Sequence, residues 1–335
     1  MIQPDVPALV LAPMEGITDA PMRAYQGATG CFTYAVSEFL RVNENPLPPK
    51  VFKRDVPELL SGTRTPTGLP VQIQILGGNA TNMAISAVNA VRAGATAIDI
   101  NFGCPAKTVN RNDGGASLLK HPLRIKEIVK AVREAVPSEV PVSAKIRLGW
   151  EDIEDVYENA TMAAVGGASW ITIHARTRMQ GYLPPVFWKS IGRVREMLSL
   201  PIVANGDIWN IDDFRQCREE TGCIHYMIGR GALANPRLAL QVSHELGLSS
   251  HQDRDRDWQD RDWIPQLHAL EYWTSYYKHS VSFKTMLRLK QWLKFAAIFG
   301  EFRYFESVKQ AQTLEEFFAR LEQVIDEHAG VLSSR

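Results

Sequence analysis

Cys104 stands between Gly103 and Pro105 in the stretch NFGCPAKTVNRNDGG, just after an apolar run. Glycine and proline on its two sides break helix and strand alike, so the thiol is predicted on a turn. An ordinary cysteine titrates near about 8.5 and is mostly protonated at neutral pH. Acting as a thiolate would require a base or a cation beside it, and no base is adjacent in sequence. A thiol that gives up a proton needs no such neighbour, so the position suits a general acid. Cys31, Cys217 and Cys223 read instead as small buried fillers. Other reactive types also follow apolar runs. Pro13, Met14 and Glu15 close the first, Asn101 the fourth, and Gln74, Lys145 and His174 sit on the third, fifth and sixth. Lys145 could form a Schiff base, pair with a core acid, or donate to a cofactor ring. His174 reads either as a satisfied core histidine or as a site residue. Asn205-Gly206-Asp207 and Gly229-Arg230-Gly231 close the last two runs. Glycines there let backbone N–H groups approach an anion, and Arg230 adds charge, which points to phosphate.

These residues need elements that bring them to one place. Eight short apolar runs begin at Ala8, Thr33, Val71, Ala97, Val142, Trp170, Pro201 and His225. Most are separated by segments of helical period, clearest at 80–93 and 125–136. Strand and helix alternating in this way predict a parallel (β/α)8 TIM barrel over 1–246, close to the usual ~250 residues. In such a barrel the strands' C-terminal ends share one rim, where the polar closers would meet. A mixed-charge stretch follows, SSHQDRDRDWQDRDW, and 247–263 reads as a charged linker. Residues 264–335 show helical patterns and no strand signal, which predicts an appended all-helical domain.

The chain has 335 residues, with 37 Lys plus Arg balanced by 37 Asp plus Glu, so any basic surface must be local. Four cysteines without a C-x-x-C pair make no disulfide framework, and no metal-ligand cluster appears. The N-terminal segment reads as neither a signal peptide nor a membrane span. A reduced, cytoplasmic protein is expected.

Together these motifs resemble the tRNA-dihydrouridine synthase family. The likeness rests on Ala12-Pro13-Met14-Glu15-Gly16-Ile17-Thr18-Asp19, Gly103-Cys104-Pro105, QILG, SAKIRLGW, HARTRMQGY, ANGDIW and MIGRGAL, and extends to LRLKQWL. RTPTG, LGW and KQWL look most like the C-type bacterial branch, which implies uridine 16 of the tRNA D-loop. The resemblance implies FMN as cofactor and NADPH as reductant. Pro13, Met14 and Glu15 would lie against the flavin, and Gln74 and Lys145 would contact its ring. His174, Asn205, Gly206, Asp207, Gly229 and Arg230 would hold its phosphate and ribityl chain. The target uridine would be flipped out of the tRNA. Flavin N5 would give hydride to C6 of the uracil and Cys104 a proton to C5. Asn101 would contact the uracil, with Arg176 and Tyr182 near it. Lys107, Asn110 and Arg111 are candidates for nearby RNA backbone. A monomer without metal or membrane attachment is expected.

The window 278–299 contains five Lys and Arg and no acid. At helical period Met286, Leu289, Leu293, Ala296 and Ala297 form an apolar stripe, with Lys284, Arg288 and Phe295 opposite. Such a face could offer charge and an aromatic to a phosphate backbone, and the resemblance to the C-type branch implies Arg41, Tyr182, Arg288, Lys290, Phe295 and Lys309 as the residues that orient tRNA. The competing readings are an FMN barrel reducing a free pyrimidine or enone, specificity for uridine 20 or 20a, a tRNA-folding factor, and a flavin-free phosphosugar barrel.

Overall fold

The computed structural model describes residues 1–248, 258–278 and 282–333. In chain order the first elements are β1 (Ala8–Leu11), α1 (Ala20–Ala28), β2 (Tyr34–Val36), β3 (Leu40–Arg41) and α2 (Pro49–Asp55). Next come β4 (Val71–Leu76), α3 (Ala80–Ala93), β5 (Ile98–Asn101), α4 (Lys107–Arg111), α5 (Pro122–Ala135), β6 (Val142–Arg147) and α6 (Asp155–Val165). The barrel is completed by β7 (Ile171–His174), α7 (Trp188–Met197), β8 (Ile202–Asn205), α8 (Ile211–Thr221), β9 (His225–Ile228), α9 (Arg230–Ala234) and α10 (Leu238–Glu245). A helical unit follows with α11 (Trp263–Lys278), α12 (Ser282–Phe299), α13 (Phe305–Val308) and α14 (Leu314–Ser333).

All strand pairs are parallel, and β1 pairs with β9 while β2 pairs with β4, so eight strands close into the expected barrel. The strands are buried on both faces, which is why they read as continuous apolar runs rather than alternating ones. One element was not predicted. The second strand breaks after Val36 and resumes as β3, pairing Leu40 with Ile75 and Arg41 with Leu76 beside the same β4. The helices have local stops and starts. Asn79 caps α3 by accepting from the Asn82 N–H, and Gly94 ends it at φ 116°, where a side chain would be strained.

The barrel interior carries a polar ladder that climbs to the rim. Ser143 Oγ donates to Asp99 Oδ1, Gln74 Nε2 donates to Asp99 Oδ2 at 2.7 Å, and Asn101 Nδ2 donates to Gln74 Oε1 at 2.8 Å. Buried polar groups persist only when paired in this way.

The helical unit shares a core with the barrel. Met22 and Tyr25 of α1 and Leu233 of α9 pack among Trp263, Leu267, Leu289, Trp292 and Phe317. Burying each such Leu or Phe is worth about 1.5–3 kcal/mol. Trp292 Nε1 donates to the Leu233 carbonyl at 2.9 Å, and Tyr25 Oη donates to Gln266 Oε1 at 2.7 Å. Met286, Leu289, Leu293 and Ala296 face this core as their period predicts, and Ala297 is half-buried. Residues 249–257 of the expected linker lie outside the described residues. Its last part belongs to the helical unit instead: Trp258 packs edge-on to Trp263, and a capped turn at Asp260–Asp262 leads directly into α11. Charged residues hid these two tryptophans in the sequence.

Candidate active site

A cavity of about 730 Å³ opens at the C-terminal rim of the barrel. The structure brings Pro13, Met14, Glu15, Gln74, Asn101 and Cys104 to its wall. Lys145, His174, Tyr182, Asn205, Gly206, Asp207, Gly229, Arg230 and Phe295 complete the predicted set that lines it. Eight predicted residues do not line it, among them Lys107, Asn110 and Arg111 of α4. Arg41 lies in a neighbouring cavity. Arg176 is fully buried and pairs with Asp207. Arg288, Lys290 and Lys309 belong to the helical unit.

Cys104 sits on a braced turn. Asn101 Oδ1 accepts from the N–H groups of Gly103 and Cys104, both at 2.9 Å. The Cys104 carbonyl accepts from Ala116 N at 3.1 Å and from Asn110 Nδ2 at 3.3 Å. Asn101 is thus the last rung of the barrel's ladder, and its amide positions the cysteine turn besides facing the cavity. Asn110, a candidate for RNA backbone, spends its amide bracing the same loop, since its Oδ1 also accepts from Ser117 N at 2.8 Å. Partial burial pushes the Cys104 thiol above its ordinary value, against the opposing pull of Arg147 and Arg41. At neutral pH the group therefore holds its proton.

Lys145, opposite Asn101 in the β5–β6 register, donates from Nζ to Asn205 Oδ1 at 3.2 Å. Burial, with the nearby Arg147 charge, draws it down to about 8, while Asp99 pulls the other way. Asp99 itself is pushed up to about 6 by burial. His174 falls well below the usual histidine value through burial and the charges of Arg147 and Lys145, so its ring is neutral. Its Nδ1 is buried without a hydrogen-bond partner.

The two glycine loops differ from expectation in one respect. The Asp207 carboxylate is occupied by two arginines: it accepts from both nitrogens of the Arg176 fork and from Arg230 Nη2 at 2.7 Å. It neutralises cations instead of facing an anion, so only the backbone of this loop and the remaining positive charge suit a phosphate. Arg230 also lies over the rings of Tyr182, Trp209 and Phe299, at 4.4, 4.8 and 5.4 Å from their centroids.

Sequence reasoning left several side chains at the cavity without a role. Arg147 is buried at the rim; its Nε donates to the Gly103 carbonyl at 2.9 Å and its Nη1 to those of Thr177 and Gly181. It ties the cysteine loop to the loop bearing Tyr182. Its place beside Lys145 on strand β6 was the available signal. Trp209 stacks on Phe299 at 5.5 Å and 13°, so helix α12 supplies Phe295 and Phe299 to the cavity. No sequence signal joins positions so far apart.

Arg288 was predicted to project toward RNA. Its side chain is 10% exposed and grips the barrel's first loop, donating to the Gly16 and Ile17 carbonyls and to Asp19 Oδ1. Helical period identified the polar face of α12 but not the protein surface opposite it. Lys290 Nζ donates to the Lys309 and Ala311 carbonyls, and Lys309 is exposed and paired with Glu306. Lys284 is exposed. Among the described residues no His, Cys, Asp and Glu cluster could hold a metal ion, and no helix is long and apolar enough to cross a membrane.

The dihydrouridine synthase family profile matches residues 10–329. The chain belongs to this family. The chain is 50% identical over 231 residues to a tRNA-dihydrouridine(16) synthase of Shewanella oneidensis, covering 69% of this chain and 73% of that protein. It is 39% identical over 319 residues to the protein of the same name from Neisseria meningitidis, covering 94% of each. A histamine dehydrogenase from Rhizobium sp. 4-9 superposes with a TM-score of 0.52 at 15% identity, over 71% of this chain and 46% of its own, and shares the barrel fold. In this family member the matched segment spans both the barrel and the helical unit that closes its cavity.

Proposed function

We propose that this enzyme reduces the C5–C6 bond of a uridine in the tRNA D-loop to 5,6-dihydrouridine, that the uridine is at position 16, and that FMN and NADPH serve the reaction. The observation that carries the reading is the presence of Cys104, on a turn braced by Asn101, in the same cavity as Lys145 and the glycine loops. The names of the relatives support tRNA as substrate and position 16 as target.

The residues present fit a flavin mononucleotide. Gly206 and Gly229 line the cavity, and a Cβ on Gly229 would come within 3.2 Å of Ala12 Cβ and 3.3 Å of Met14 Sδ, and one on Gly206 within 3.1 Å of Ala175 N, so side chains there would crowd the wall. On the cavity wall Lys145, Arg147 and Arg230 outnumber the carboxylates of Glu15 and Asp207, which suits an anionic cofactor despite a neutral chain. The orphaned His174 Nδ1 offers it a further polar contact. Pro13, Met14, Gln74 and Lys145 would hold the ring, and His174, Arg230 and the backbone of Asn205, Gly206 and Gly229 the phosphate end. Bound there, a flavin would supply the hydride taken up at uracil C6. Cys104 delivers the proton to C5. Arg147 keeps the Cys104 loop and the Tyr182 loop in fixed relation, and Tyr182, 53% exposed, is free to meet RNA.

Mapping dihydrouridine in tRNA from cells lacking the gene tests the reading. Loss at position 16 with position 20 retained is expected; loss at 20 with 16 intact overturns the target, and a purified enzyme that reduces only free uridine overturns tRNA as substrate.

Lys145 provides a second test. In the flavin-free protein it is charged below about pH 8 and neutral above. A flavin that prefers the ammonium raises this value on binding. The flavin dissociation constant should then be flat below pH 8 and rise above it, by about 10-fold for one charge-assisted hydrogen bond. Fluorescence of released flavin measures this, and Lys145→Met should weaken binding and abolish the step.

A further inference from the structure

Beside the active-site cavity lies a second, of about 540 Å³. The two share Glu15, Phe39 and Ala106, so they adjoin across a common wall, and Ala106 is two residues from Cys104. The wall exists because of β3, the short strand that resumes after the break in β2 and carries Leu40 and Arg41. Phe39 gives the cavity an aromatic face on which a base could stack, and Leu47 and Val51 add apolar surface beside it. Two arginines reach it. Arg54 is held by both oxygens of Asp55, whereas Arg41 makes no side-chain hydrogen bond or ion pair among the described residues, although its charge reaches Glu15 and Cys104. An apolar slot with one uncommitted guanidinium matches a nucleotide: base against the wall, phosphate at the cation.

We infer that the second cavity holds the nucleotide directly flanking the target uridine; the inference rests on the proposed tRNA reaction. Extruding one base from a polynucleotide brings its covalent neighbours to the mouth of the pocket, and contacts to them set sequence context. The shared wall of Phe39 and Ala106 places the second cavity where such a neighbour arrives.

The test uses the full-length, flavin-loaded enzyme, Val51→Trp to fill the cavity, Arg41→Ala to remove the cation, and tRNA transcripts abasic at either position flanking uridine 16. Binding is read by filter retention. Val51→Trp should weaken tRNA binding by about 10-fold, as loss of one stacked base does. Arg41→Ala should weaken it and reduce the salt slope by about 1. An abasic site at one flank should cost wild type about 10-fold and the Val51→Trp variant nothing further, the non-additivity of groups in contact. Penalties that add in full, or variants that bind as wild type, overturn the subsite. Slower reduction of the flavin by NADPH in Val51→Trp assigns the cavity to the reductant and overturns it too. Arg41→Ala and the abasic transcripts carry the test if Val51→Trp does not fold. A wild type that reduces uridine 16 while these effects are missing overturns the subsite alone; one that reduces no tRNA uridine overturns the reaction and the subsite together.

Discussion

Cys104→Ala should lower dihydrouridine formation by about 10²–10⁴-fold, the usual contribution of a positioned general acid, and leave tRNA binding unchanged. The size follows from how little else near C5 can replace the thiol. Lys145 is committed to Asn205 and Arg147 to three carbonyls, and the ring of His174 is neutral. Cys104→Ser should recover little, because a hydroxyl is a far weaker acid than a thiol. Mixing reduced enzyme with tRNA and following flavin reoxidation isolates this half of the reaction. A Cys104→Ala enzyme that reoxidises at the wild-type rate would refute the assignment. The raised thiol also predicts slow alkylation by iodoacetamide at neutral pH, opposite to an activated nucleophile.

The largest loss of stability is expected at Glu58. Arg23 and Glu58 form a two-pronged pair, 2.8 Å at each contact, with side chains 1% and 0% exposed. Glu58→Gln strands the Arg23 charge in the core, which should cost about 3–5 kcal/mol and lower Tm on the order of 10 °C. Calorimetry measures it. Replacing both by apolar residues, Arg23→Met with Glu58→Leu, should recover most of the loss, since a well-packed apolar pair often matches a buried ion pair. A Glu58→Gln protein that melts like wild type would show that the charge finds another partner. Arg23 also donates to the Thr18 carbonyl at 2.7 Å, and Thr18 Oγ1 accepts from Met14 N at 2.7 Å. The pair therefore supports the loop on which Pro13, Met14 and Glu15 reach the cavity, and weaker flavin retention should accompany the lower Tm.

The barrel was legible because its strands are buried on both faces and end on one rim; an apolar run closed by Asn, Lys, His or Gly carried both facts at once. The 80–93 helix was legible because its buried positions, Met83, Ala87 and Ala90, keep one face. The second half of the broken strand was not, because the two residues Leu40 and Arg41 show no period. The partners of Arg288, Arg176 and Asp207 were not legible: the resemblance implied tRNA, uracil and flavin for them, and neighbours distant in sequence also use them to hold the barrel rim together. The cysteine's place on a turn was readable from Gly103 and Pro105, but its brace through Asn101, Gln74 and Asp99 required the fold.

Phe295 and Phe299 reach the cavity from helix α12, beside Trp209 of the barrel. The protein is consequently not a catalytic module with a detachable RNA handle. Exchanging the helical unit between relatives to redirect the target base would also rebuild one side of the reaction chamber. Choice of uridine and competence to reduce it are therefore inherited together, and a drift in one must be matched by the other.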